Sequence, residues 1–180
     1  MRRCCLNHNW ILSAALVFLT ACKTPVQEEP VIRPDPVREQ FVRANQYMQR
    51  RHQDHIAAFV DRVGWEAEVT PSGLWIVMEK QGEGASIEEG DRVIFSFEAM
   101  LLNGTPCYKA TEEDPEQVVI GRGGIESGVE EGLQKLREGA EATFLIPPHL
   151  GHGNFGDRNK IPGNSVLIYK VRVLDVQEDG

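Results

Sequence analysis

RVIFSFEAMLLNG, residues 92–104, decides the fold. Val93, Phe95, Phe97, Ala99 and Leu101 fall at every second position, with Arg92, Ser96 and Glu98 between them. A period of two puts these five apolar side chains on one face of an extended strand. Asn103-Gly104 follows as a tight-turn signal, because both residue types accept left-handed backbone angles. A strand buried on one face needs partners with the same period. VLIYKVRVLDV, residues 166–176, supplies one, with Leu167, Tyr169, Val171 and Val173 in phase. Shorter strands are expected at Leu74 to Glu79, Gln117 to Ile120 and Ala142 to Ile146, the last closed by Pro147-Pro148. Ser127 opens a short helix, with Glu130 as a capping-box partner. Val129, Leu133 and Leu136 form its apolar face and Gly139 ends it. A loop rich in Gly, Asn and Asp then runs to Asn164. Antiparallel strands with one short helix predict an α+β domain, a sheet curled over a helix.

Upstream the pattern changes. Pro36 suits the first position of a helix and Asp35 its N-cap. Nothing breaks that helix before Val63, and Gly64 stops it. It would be roughly 40 Å long at 1.5 Å per residue. Val37, Phe41, Ala44 and Met48 make one apolar stripe; Ile56, Phe59, Val60 and Val63 make another. The turn between them, Gln49 to His55, is wholly polar, so His52 and His55 are expected in solvent. The second stripe is expected to pack on the following domain. The first lacks an evident partner, and self-association through the helix at 36–64 is one outcome.

Before the helix, residues 22–35 are rich in proline and acidic side chains and read as a solvated tether. Residues 1–21 read as a leader. Arg2 and Arg3 are basic, Trp10 to Leu19 is an apolar run too short for a membrane span, and Leu19-Thr20-Ala21 ends at Cys22. Small residues directly before a cysteine mark a lipoprotein signal. Cleavage before Cys22 would leave its thiol to carry the lipid, and each buried methylene of the acyl chains contributes about 0.8 kcal/mol. Cys4 and Cys5 would be discarded, leaving Cys107 without a disulfide partner. The formal net charge of −8 makes nucleic acid a poor partner. Anchoring would fall to the lipid on Cys22, placing the protein in the cell envelope, at the periplasmic face of the outer membrane.

Further stretches sharpen the picture: Thr70-Pro71-Ser72-Gly73-Leu74, Gly90-Asp91, Leu101-Leu102-Asn103-Gly104, Gly128-Val129-Glu130-Glu131-Gly132, Ile146-Pro147, Gly153, Ile161-Pro162 and Leu167-Ile168-Tyr169. In this order and spacing, from Thr70 to Val176, they resemble the FKBP-type peptidyl-prolyl isomerases. The anchor and acidic tether more loosely resemble the gliding-motility-associated lipoproteins of that family. The resemblance implies a curved antiparallel sheet over one short helix at residues 66–180, preceded here by the long helix. It also implies an isomerase acting on proline-containing polypeptides without a cofactor.

Carried over residue by residue, the resemblance gives a pocket. Phe97 stands where the family has a cavity-lining Tyr. Cys107 and Tyr108 replace Phe-Asp, and Val118 replaces a wall aromatic. Ile125 matches an aliphatic wall residue. Glu126 stands where an aliphatic residue is usual, with its backbone N–H still in place. Val129 occupies the floor, where Trp or Leu is usual. His152 takes the place of a Tyr whose hydroxyl donates to the bound peptide. Ile161 and Tyr169 match the far wall. These substitutions imply a wider, altered pocket with reduced activity. The alternative is a non-catalytic peptide-binding or chaperone module of an envelope or motility assembly. His149 and His152, three apart with Asp157 nearby, have a spacing that metal ligands take, but no further ligand cluster supports a metal site. Gly121-Arg122-Gly123-Gly124 resembles a phosphate loop but breaks the dinucleotide pattern at Glu126.

Overall fold

The structure, a computed structural model, describes residues 35–178. The expected leader, Cys22 and nearly all of the tether lie outside the described residues. The chain runs α1 (Pro36–Val63), β1 (Glu68–Val69), β2 (Trp75–Lys80), β3 (Arg92–Leu101), β4 (Pro106–Ala110), β5 (Glu116–Val119), α2 (Ser127–Leu133), β6 (Glu141–Ile146), a short 3-10 turn (Pro148–Leu150) and β7 (Leu167–Gln177). Among the described residues, no helix is long and apolar enough to cross a membrane.

The strands form one antiparallel sheet in the order β1-β2-β6-β7-β3-β4, with β5 also paired to β3. The decisive stretch organises it. Arg92 to Phe95 pair with β5, Phe97 to Met100 pair with β4, and the other edge of β3 pairs with β7 along its length. A register shift opposite Ile94 and Phe95 inserts one extra residue in β7. Such a bulge resets which face a side chain meets. It brings Val176 back against the core, opposite Val93. The β4 strand was not expected from the sequence; Pro106 at its start and the shift beside it hide its period.

Successive residues of a strand point to opposite faces, and this sheet buries both. On one face Phe95, Phe144, Ile146, Leu167 and Val173 form the main core with Val129 and Leu133 of α2. On the other, Val77, Leu145, Val166 and Ile168 meet Ile56 and Val60 of α1. The second stripe of α1 therefore docks as expected, except for exposed Val63. Gln53 fastens it: its Nε2 donates to Gly73 O (2.9 Å) and its Oε1 accepts from Trp75 Nε1 (2.6 Å). A fragment cut at Glu66 would uncover Val77, Leu145 and Ile168. The first stripe, with Val37, Phe41 and Met48, is exposed.

His52 departs from expectation. It is buried rather than solvated, because it lies four residues before Ile56 on the docked face. Burial, then the nearby charges of His55, His149 and Arg51, push its pKa down. The capping box at α2 is also corrected. Glu126 is the N-cap and makes no side-chain capping bond. Ser127 Oγ donates to Leu150 O instead, and Glu130 Oε1 accepts from Gly121 N. The helix ends at Leu133, well before Gly139, but Leu136 is still buried.

Two glycines set the depth of α2. A Cβ on Gly132 would lie 2.5 Å from the Phe144 ring, and one on Gly128 would lie 2.7 Å from Ile146 Cγ2. Both neighbours are fully buried and cannot retreat. Ala at position 132 would gain up to about 1 kcal/mol of helix propensity but overpack a core, which costs about 1–3 kcal/mol. The clash should win. Gly132→Ala is expected to lower the urea midpoint at an unchanged slope; an equal or higher midpoint would show that α2 can move off β6.

Candidate active site

A cavity of about 410 Å³ opens between the sheet, α2 and the loop before β7. Phe97 of β3 and Tyr169 of β7 form one wall. Tyr169 pairs with Ala99, two residues along from Phe97, so the two rings are diagonal neighbours on one face. They stack with centroids 5.2 Å apart and planes at 22°. Phe95 lies behind Phe97 at 5.9 Å. Val129, buried in the first turn of α2, sits beneath, and Ile125 stands at the entrance to that helix.

Polar groups close the remaining sides in two sets. In the first, Tyr108 of β4 donates its hydroxyl to Asp157 Oδ2. Asp157 Oδ1 accepts from the backbone N–H groups of Asn159 and Ile161, each at 2.8 Å. Arg158 between them adopts a left-handed backbone (φ 62°), which turns the chain back on the carboxylate. Lys160 Nζ donates to Cys107 O (2.9 Å) and lies 4.8 Å from the centre of the Tyr108 ring. The loop at 157–161 is thus latched to β4. The Tyr108 bond holds the Asp157 carboxyl well below the usual carboxylate range and raises the pKa of the phenol.

In the second set, Tyr169 Oη donates to Glu126 Oε1 (3.0 Å). His152 Nε2 lies 2.7 Å from the same oxygen, at ion-pair distance. Its ring N–H is not aimed along that line, so this buried nitrogen makes no hydrogen bond. Burial, then the charge of Glu126, pushes the Tyr169 phenol far above its ordinary pKa. It stays protonated and donates. Among the described residues no activated nucleophile faces the cavity; the arrangement is suited to holding a small apolar ring beside polar rim groups.

The family of FKBP-type peptidyl-prolyl cis-trans isomerases matches residues 83–174, half of the chain. The protein belongs to this family. A probable FKBP-type peptidyl-prolyl cis-trans isomerase of Haemophilus influenzae is 35% identical over 113 residues, covering 63% of this chain and 46% of the relative. A probable FkpA of Neisseria meningitidis is 33% identical over 109 residues, 61% of this chain and 40% of the relative. The chain thus spans less than half the length of these curated relatives. Among solved structures, FkpA from Escherichia coli superposes with a TM-score of 0.61 at 24% identity, covering 80% of this chain and 70% of that one. An isomerase from Pseudomonas syringae gives 0.63 at 18% identity, covering 74% and 96%. Both share the fold.

Of the ten FKBP-pocket residues expected from the sequence, seven line the cavity: Phe97, Tyr108, Ile125, Glu126, Val129, His152 and Tyr169. Cys107, Val118 and Ile161 do not reach its surface; they are buried in the core beside it. The Cys107 thiol faces Thr105 O and Lys160 O, and burial pushes its pKa up. Such a thiol is a packing group rather than a nucleophile. Phe95, Lys109, Glu116, Gly124 and Asp157 complete the wall without having been expected there. Phe95 was legible, since it shares a strand face with Phe97. Asp157 was not, because its partner Tyr108 is 49 residues away. His149, three residues from His152, turns elsewhere and bonds to Ser72 O (2.9 Å).

The Asp157 latch has a defined pH dependence. A carboxylate whose folded pKa is depressed stabilises the fold fully above its unfolded value, about 3.9, and loses that contribution as pH falls through the lower folded value. The Asn159 and Ile161 amide resonances should therefore stay native from neutral pH down to about pH 4 and shift only below it. In Asp157→Asn they should differ from wild type at neutral pH and lack this titration. A wild-type midpoint at the ordinary carboxylate value would show that the Tyr108 bond contributes nothing.

Proposed function

We propose that this protein is a lipid-anchored peptidyl-prolyl cis-trans isomerase that assists the folding of envelope proteins. The observation that carries the reading is the cavity walled by the stacked Phe97 and Tyr169 and floored by Val129, on the fold of an isomerase family. Rotation about an X-Pro bond faces a barrier of about 18–20 kcal/mol because amide resonance must break. Uncatalysed, it takes tens of seconds or more. The twisted amide is less polar than the planar one, so an apolar cavity around the proline ring favours it without covalent chemistry. The Glu126 backbone N–H and His152 would hold the flanking carbonyls. Relative to the pattern the family resemblance implies, Val129 widens the cavity, Phe97 lacks a hydroxyl, Tyr108 puts a phenol in place of a carboxylate and Glu126 makes the site more polar, which should lower turnover.

One observation favours a second reading, a non-catalytic peptide-binding module in an envelope or motility assembly. Glu126 accepts from Tyr169 and lies 2.7 Å from His152 Nε2, so a carboxylate already occupies the side of the pocket where a peptide carbonyl would be held. Turnover of a proline tetrapeptide separates the two. We expect a rate above the uncatalysed one. Tyr169→Ala should lower kcat/KM by roughly ten-fold or more, as loss of an apolar wall does. His152→Gln keeps a donor and should cost less than about five-fold. The reverse order would place catalysis on hydrogen bonding at His152. A wild-type rate equal to the uncatalysed one, with peptide still bound, would favour the binding module.

The anchor rests on the leader that ends at Cys22, and the envelope location rests on the anchor. The exposed stripe of α1, with Val37, Phe41 and Met48, suits pairing with a second copy. When the full-length gene is expressed with labelled palmitate, the wild-type protein should carry label and partition with membranes. Cys22→Ala should do neither. Label retained by that variant would refute lipidation at Cys22.

A further inference from the structure

The loop at 151–164 carries one exposed large apolar side chain. Phe155 is 84% exposed, more than any other large apolar side chain among the described residues. The loop keeps its shape by other means. Gly153 N donates to Pro148 O (2.7 Å), Asn164 N to Gly153 O (2.9 Å) and Asp157 N to Ile161 O (3.1 Å). Its strands of backbone lie so close that a Cβ on Gly156 would fall 2.0 Å from Ile161 O, and one on Gly163 would fall 2.1 Å from Asn154 O. None of these contacts involves the Phe155 ring.

The position of the ring is constrained from both sides. His152, three residues before it, lines the cavity and meets Glu126. Asp157, two residues after it, lines the cavity and holds Tyr108. At about 3.8 Å between successive Cα atoms, Phe155 lies within about 11 Å of His152. Its solvent-facing ring is therefore within reach of the cavity rim, on a loop fastened at both ends. We propose that Phe155 grips clients: it docks an apolar side chain of an extended polypeptide whose proline occupies the cavity. The inference rests on the isomerase reading above. An extended chain advances about 3.3–3.6 Å per residue, so the residue gripped lies about three positions from the proline. An apolar residue is the match, because the ring offers dispersion and area burial but no hydrogen bond. The nearby polar groups, Asp157 and Lys160, are already engaged. Aromatic side chains of this kind often dominate contact energy.

The test uses the full chain carrying Phe155→Ser, an exposed position where folding should be unaffected and circular dichroism should match wild type. Three readouts are compared: turnover of a proline tetrapeptide, catalysis of a proline-limited refolding reaction of an unfolded protein, and affinity for a fluorescently labelled, permanently unfolded protein. The tetrapeptide barely extends past the cavity, so its kcat/KM should stay within about two-fold. For the refolding protein, KM should rise about ten-fold with kcat unchanged, and affinity for the labelled protein should fall by a similar factor. Phe155→Trp should restore both. Unchanged KM and affinity in Phe155→Ser would overturn the proposal, as would an equal loss on the tetrapeptide, which would place the ring inside the catalytic site. Absence of turnover by the wild type on both substrates would instead remove the isomerase reading. The affinity measurement would then judge the grip alone, a loss supporting it and no loss overturning it.

Discussion

The contact between the backbone of Gly132 and the ring of Phe144 is the constraint on which the rest of the domain depends. α2 has seven residues, too few for a helix to persist in water unaided. It exists because its glycine-bearing side lies flat on β6, closer than any side chain would allow. That depth puts Val129 under the aromatic wall rather than above it, and it sets where Ile125 and Glu126 enter. A helix lifted by one methyl layer would leave Phe97 and Tyr169 facing an open trough. The floor of the cavity is therefore a property of two missing side chains as much as of those present.

Above the floor, apolar and polar groups divide the work. The aromatic wall belongs to β3 and β7, which pair along their length. The opposite side belongs to loops, which hold shape through polar contacts. Tyr108 and Tyr169, on separate strands, each give a hydroxyl proton to a carboxylate, Asp157 and Glu126. Both phenols have their pKa values raised, so both bonds persist across the neutral range. The effect is to fasten the loop before β7 and the entrance of α2 to the sheet. Neither phenol retains a free proton to donate inward, which leaves proton-donating roles at the mouth to backbone N–H groups and His152.

Much of this was legible in the sequence, for reasons that can be located. The alternation from Val93 to Leu101 and from Leu167 to Val173 is a direct imprint of one-sided burial, so both strands and their faces could be read. The glycine stops at Gly64 and Gly104 were equally local. Sites whose geometry requires distant partners were not. Asp157 became a site residue only when β4 delivered Tyr108 to it. Ser127 and Glu130 have the spacing of a capping box, yet tertiary contacts to Leu150 and Gly121 outcompete the local one. His52 looks solvated along the chain and is buried only because Ile56 pulls that face of α1 onto the sheet. Cys107, Val118 and Ile161 were placed at the cavity by analogy of position and lie in the core cluster beside it.

The sheet's burial on both faces has a consequence for how the chain tolerates change. Along β6 and β7, neighbouring residues answer to different masters: Phe144 and Leu167 to the cavity side, Leu145 and Ile168 to the long helix. Mutational sensitivity along these strands should carry a beat of two, each substitution felt by one phenotype and silent in the other. Variation that tunes what the pocket accepts can accumulate on one parity of positions while the seating of the helix is preserved on the other. The two functions of the strand are inherited together but are free to diverge separately.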